Sequence, residues 1–287
     1  MKYGLQLFGL GPQHYAKVAA VAEEYGFESV WMPEHLVLPE VLPDTYLYTE
    51  GGRPPISSAT PLYDPWVVLA AVAQATERIR LATDVFILPL RHPVATARSV
   101  VTLDRVSRGR VTLGVGVGWL EDEFEVMGEP FGDRGRRTDE IIPLLRRLWS
   151  DEVIEHRGEH YGFGPIRFEP KPRQQPSIPI EVGGSSPAAL RRAGRLGDGW
   201  IEIGAADVDR LKVMIKEVQG ARAEAGREGE PFEITAGLGR DVDGVRRCRE
   251  LGVTRILAGP PVKDARVTAD DVGDWIRRFA DDVIAVA

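Results

Sequence analysis

Short apolar runs of strand character alternate with segments of helical periodicity along nearly the whole chain. Lys2 to Phe8 reads as a strand. Pro12 to Tyr25 follows as a helix, with Pro near its first turn and Gly26 placed to end it. Ser29 to Met32 is a second strand, and a connection rich in Pro, Tyr and Gly runs from Glu34 to Tyr63. A helix over Pro65 to Thr76, a strand over Ile79 to Val85 and a helix over Pro93 to Val106 come next. The fourth strand lies within Arg110 to Trp119, and Asp133 is placed to cap a helix to about Trp149, with an apolar stripe of Ile141, Leu144, Leu145 and Leu148. Residues 151 to 176 break the rhythm and read as an insertion. The alternation resumes with strands at Ile178 to Val182, Trp200 to Ile203, Phe232 to Ala236 and Arg255 to Leu257. Helices at Pro187 to Leu196, Val208 to Gly226, Val242 to Leu251 and Asp271 to Val286 are interleaved with them. Eight strand and helix pairs in unbroken order predict one α/β domain over residues 1–287, a closed parallel TIM (β/α)8 barrel with an insertion near strand five. A doubly wound open sheet is the alternative.

The fourth strand, R-V-T-L-G-V-G-V-G-W, is the most informative stretch. Alternation sends Val111, Leu113, Val115 and Val117 to one face and Thr112, Gly114, Gly116 and Gly118 to the other. Glycine weakens a strand, so a face stripped of side chains means either that something flat approaches the backbone or that a tight barrel interior needs the space.

Composition bounds the function. A chain of 287 residues, 43% hydrophobic and 28% charged, has the make-up of a soluble globular protein. Its net charge of −7 argues against general binding of nucleic acid or anionic membrane. The single cysteine, Cys248, excludes an intrachain disulfide and a cysteine cluster for zinc. The N-terminus runs directly into a strand without a signal-peptide pattern, and no apolar stretch is long enough to span a bilayer, so a cytoplasmic location is expected.

In a barrel the chemistry sits at the C-terminal ends of the strands. Those ends carry Glu34 and His35 after the second, Asp84 and Val85 after the third, Gly116 to Trp119 after the fourth, and Gly183, Gly184, Ser185 and Ser186 after the fifth. The last turn opens a helix near Pro187, so its N–H groups, hydroxyls and positive dipole end suit a phosphate. A plain turn with serine as N-cap suits the same residues. His156 and His160 stand four apart in H-R-G-E-H, but Gly158 and the irregular context present no helix, and no metal is assigned. Arg134, Arg136 and Arg137 could bind an anion or pair with Asp133, Asp139 and Glu140. His92 reads as a helix-entry residue, and Cys248 as inert.

Together the motifs S-V-W-M-P-E-H-L, L-A-T-D-V-F-I-L-P-L-R-H-P, L-G-V-G-V-G-W-L-E-D-E-F, R-G-R-R-T-D-E and I-P-I-E-V-G-G-S-S-P resemble the luciferase-like monooxygenase superfamily. The resemblance is closest to its coenzyme F420-dependent oxidoreductase branch and spans about residues 1 to 260. It implies a TIM barrel, a homodimer, and a flavin-like cofactor at the C-terminal face acting on a small-molecule substrate. The cofactor that the resemblance implies is coenzyme F420, with FMN as the alternative. The resemblance makes Gly183, Gly184, Ser185 and Ser186 the cofactor phosphate loop, and Gly116, Val117 and Gly118, with Trp119 and Asp122 nearby, the strand region against which the ring lies. His35 becomes the residue exchanging a proton, with Glu34 beside it to hold or tune it, and the Asp84–Val85 peptide becomes a cis bond backing the ring. Sugar-phosphate dehydrogenases of this branch carry a glutamate directly after the G-x-G strand. Trp119 stands there instead, and Glu121, Asp122 and Glu123 follow a few residues later. Hydride transfer, FMN-dependent monooxygenation and cofactor binding without turnover are the three readings. The loop from Leu36 to Tyr63, with Tyr46 and Tyr48, and the insertion, with His160, Tyr161 and Phe163, are expected to wall the substrate pocket.

Overall fold

Capping residues and β-branched runs punctuate the chain much as the sequence predicts. A computed structural model describes residues 1–204, 207–237, 241–260 and 268–286. Its barrel strands are β1 (Lys2–Gln6), β2 (Ser29–Met32), β3 (Arg80–Thr83), β5 (Val111–Gly116), β8 (Ile180–Gly183), β9 (Gly199–Ile201), β10 (Glu233–Ala236) and β11 (Arg255–Ala258). A two-residue strand, β4 (Phe86–Ile87), adds to the rim beside β5. Every pairing among these is parallel. The order runs β3-β2-β1-β11-β10-β9-β8-β5, and a β3–β5 pairing closes the ring. This is the closed (β/α)8 barrel; the open sheet is excluded.

The helices are α1 (Tyr15–Glu24), α2 (Pro65–Ala75), α3 (Pro93–Val106), α4 (Glu121–Met127), α5 (Arg134–Ser150), α6 (Pro187–Leu196), α7 (Val208–Glu224), α8 (Val242–Glu250) and α9 (Ala269–Phe279). Pro opens α2, α3 and α6, where its missing N–H costs nothing. Asp64, Asp207, Asp241 and Thr268 cap their helices through side-chain oxygens, satisfying N–H groups that have no partner within the helix. His92 caps α3, accepting the Val94 N–H at Nδ1, which is the helix-entry role expected of it. Asp133 departs from expectation: its carboxylate makes no cap bond and takes the Arg137 guanidinium at 3.0 Å, an i, i+4 pair. Helix α4 was not expected at all.

The insertion lies after β5 and folds as an antiparallel hairpin of β6 (Ile154–Arg157) and β7 (Gly162–Ile166). Glu140 on α5 fastens it, taking His156 Nε2 at 2.8 Å and the N–H groups of His160 and Tyr161. Tyr161 meets His92 edge-on, and Phe163 packs against His156. The hairpin aromatics are thereby engaged with α3, α5 and one another. No described helix is long and apolar enough to cross a membrane.

Candidate active site

The bare face of β5 is filled by protein. A Cβ on Gly114 would collide with the Thr83 carbonyl, and one on Gly116 with Val85 Cγ2, while one on Gly183 would lie 2.5 Å from Val85 Cγ1. The tight-interior reading therefore holds at Gly114. At Gly116 and Gly183 the missing side chains form two notches that seat Val85 at the rim between β5 and β8. The Asp84–Val85 peptide is cis, as the resemblance implied. Gly118, at φ 81°, turns the chain out of the strand with Phe124 and Ile87 packed against it.

Two carboxylates approach this rim, each from a different element. Glu34, buried after β2, accepts the Ile87 N–H at 2.7 Å and an Arg91 Nη2 hydrogen at 2.6 Å. Burial outweighs that support and pushes its carboxyl up to about 7, with nearby Glu123 adding to the rise. The expectation that Glu34 holds His35 is corrected by these bonds. The partner of His35 is Glu123 on α4, whose Oε2 lies 2.9 Å from Nδ1, while its Oε1 accepts the Leu36 N–H. Glu123 is fully buried, whereas Glu121 and Asp122 beside it are exposed on the first turn of α4.

Asp84 is buried too. Its Oδ2 accepts from Gln6 Nε2 at 2.8 Å and its Oδ1 has no partner among the described residues, and burial pushes the carboxyl up to about 7. Arg91 likewise buries one nitrogen, Nη1, without a partner among the described residues, and its guanidinium lies 4.5 Å from the Phe86 ring centroid.

A ladder of aromatic rings links the histidine to the glycine turn. His35 meets Trp119 edge-on at 5.8 Å, Trp119 meets Tyr46 at 5.0 Å, and Tyr46 meets Tyr48 at 5.2 Å. Burial raises both phenols, Tyr46 to about 12. The Tyr48 hydroxyl stands over the turn, 3.4 Å from where a Cβ on Gly184 would lie, and the Ser185 N–H offsets part of the rise of its phenol; Gly184 has a φ of 125°. The loop after β2 thus crosses from the histidine to the Gly183–Ser186 turn. There Ser186 Oγ caps α6 by accepting the Ala189 N–H, and Ser185 Oγ donates to the Ile203 carbonyl. The serine-cap reading holds for Ser186.

Of the arginines at the α5 entrance, Arg137 pairs with Asp133 and Glu129, Arg134 donates to the Gly118 carbonyl over the Phe131 ring, and exposed Arg136 lies 3.7 Å from Glu159; Asp139 is taken by Arg192 of α6.

Residues 8–239 match the family model described as luciferase-like monooxygenase. The chain belongs to that family. It is accordingly a luciferase-like oxidoreductase on the TIM-like barrel of its kin. An uncharacterized protein of Mycobacterium tuberculosis is 38% identical over 286 residues, covering 98% of each chain. An F420-dependent glucose-6-phosphate dehydrogenase of Nakamurella multipartita is 30% identical over 95% of this chain and 76% of its own. Among solved structures, the coenzyme F420-dependent tetrahydromethanopterin reductase of Methanopyrus kandleri superposes with a TM-score of 0.77. It is 19% identical and covered to 98%, with 99% of this chain aligned, and that likeness is one of fold.

Proposed function

We propose that the chain is a coenzyme F420-dependent oxidoreductase that transfers a hydride between the deazaflavin and a small organic substrate. The observation that carries this reading is His35, placed at the C-terminal mouth with Nδ1 on a buried carboxylate, so that its other nitrogen can exchange a proton. Named F420-dependent relatives support the choice of coenzyme. The residues present fit such a group. Val85 in its glycine notches provides a backing, and the turn at Gly184 and Ser185 opens α6, whose N-terminal N–H groups and dipole suit a phosphate. When bound, the deazaflavin would supply a carbon centre that carries two electrons as hydride. The chain would hold its phosphate at Gly183, Gly184, Ser185 and Ser186, back its ring with Val85 and Gly116 to Gly118, and move the proton at His35. Trp119 and Tyr46 favour an apolar or ring-bearing substrate over a sugar phosphate.

Separate titrations with F420 and FMN, followed by fluorescence, test the reading. The expected result is low-micromolar F420 binding and FMN binding weaker by about tenfold or more, about 1.4 kcal/mol. Reversed affinities would favour FMN-dependent monooxygenation, and binding with no hydride transfer to any acceptor a non-catalytic binder.

A further inference from the structure

Glu123 lies on an apolar stripe. Leu120, Glu123 and Phe124 are spaced as one face at the start of α4, and all three are fully buried, while Glu121, Asp122 and Glu125 are exposed. A carboxylate on such a stripe needs compensation. Glu123 finds it on the β2 loop, one oxygen accepting the Leu36 N–H and the other facing His35 Nδ1. The two bonds act as a clamp, because Leu36 directly follows the histidine in the chain. The main-chain bond orients the carboxylate, and the oriented carboxylate orients the imidazole. Trp119, edge-on to the ring, limits its rotation from another side.

We infer that Glu123 is a positioning residue that fixes the tautomer of His35, keeping a proton on Nδ1 and leaving Nε2 as the nitrogen that exchanges a proton. An ionised carboxylate only accepts hydrogen bonds, so the facing nitrogen must carry hydrogen. When Nε2 takes a proton, the imidazolium forms against a charge already in place, and when Nε2 gives it up the same neutral tautomer returns. Glu34 is near enough to be raised slightly by Glu123 and is itself held by Arg91, whereas Glu123 is the carboxylate in contact with His35. The acid that this sequence lacks after β5, where Trp119 stands, is thereby not restored by the acidic run. Glu123 lies behind the histidine and acts through it.

This inference rests on the reading that His35 moves a proton, but its test needs no cofactor. Histidine-selective ¹⁵N labelling and long-range ¹⁵N–¹H correlation spectra report the tautomer of each of the five histidines, with His35→Gln identifying the His35 signals. The expected result is an Nδ1–H, bare-Nε2 pattern for His35 in the wild type and a mixture including the Nε2–H form in Glu123→Gln. Carbethoxylation by diethyl pyrocarbonate, which attacks a bare ring nitrogen, should slow at His35 by about tenfold in that variant, the scale separating a charge-assisted from a neutral hydrogen bond. An Nε2–H tautomer in the wild type would overturn the assignment even if the variant fails to fold. An unchanged tautomer in a folded Glu123→Gln would overturn it as well. Failure of F420 to bind, with the tautomer result intact, would sink the proposed function and leave this inference standing.

Discussion

The two ends of the barrel bury ionised side chains in opposite ways. Toward the strand N-termini, Arg255 is almost fully buried, yet its guanidinium reaches Glu181 at 2.9 and 3.0 Å, Thr235 at 2.8 Å and Glu28 at 3.2 Å, beside the face of Trp31. The surrounding carboxylates raise Arg255 above its ordinary value against the opposing effect of burial. At the mouth, Asp84 Oδ1 and Arg91 Nη1 are buried without partners among the described residues, and Asp84 and Glu34 are both pushed up to about 7. Paired charges at the floor contribute to integrity. Incompletely paired ones at the mouth leave polar atoms unsatisfied, an arrangement that concentrates at functional sites.

The largest expected effect is at the mouth. His35→Ala should lower turnover by about 10²–10⁴-fold, the usual share of general acid–base catalysis, with F420 affinity and melting temperature nearly unchanged. Full turnover in that variant, or loss only through unfolding, would remove the functional half of the contrast. At the floor, Glu181→Ala should destabilise the fold by about 3 kcal/mol or more, read by urea denaturation, because it strips Arg255 of its nearest carboxylate. A change below about 1 kcal/mol would show that Glu28 and Glu233 suffice, on the scale of an ordinary hydrogen bond.

Acidity sharpens the contrast further. The folded-state pKa of Asp84 lies above its unfolded value, so between roughly pH 4 and 7 the folded state holds a proton that the unfolded chain has released. Stability must therefore fall as pH rises through that window and level off above it. Asp84→Asn removes this group's share, so the variant should gain about 2 kcal/mol on wild type between pH 5 and 7 in denaturation midpoints. Parallel pH curves for the two proteins would refute it. The smallest effect is expected at Tyr48, whose hydroxyl stands over the Gly184 backbone where a phosphate would sit. Tyr48→Phe should tighten F420 binding by about 0.5–1.5 kcal/mol, the scale of one polar contact removed from the phosphate's place, in the same fluorescence titration.

Much of the architecture was legible in the chain because strand and helix signals recur in order and Pro, Gly and capping residues mark the boundaries. Helix α4 was not, since it has only seven residues and its opening acids drew attention as chemistry. The stripped face of β5 was read correctly as a place needing space, but what fills it, Thr83 and Val85, comes from another strand. Likewise Glu123 and His35 stand 88 residues apart, and nothing local joins them. Helical spacing did not supply the missing signal either, because Glu121 and Glu123 flank the stripe of Leu120 and Phe124 equally, and only packing decides that Glu123 is the buried one.

The seat of Val85 has a consequence for how this mouth can change over descent or by design. Gly116 and Gly183 belong to separate strands, yet one valine occupies the space that each leaves. Enlarging either glycine alone drives a methyl into that valine, whereas trimming position 85 to alanine frees volume on both sides together. The three positions therefore trade size as a unit. A lineage, or an engineer, wishing to remodel the platform would have to begin at residue 85 before residues 116 and 183 become free to vary.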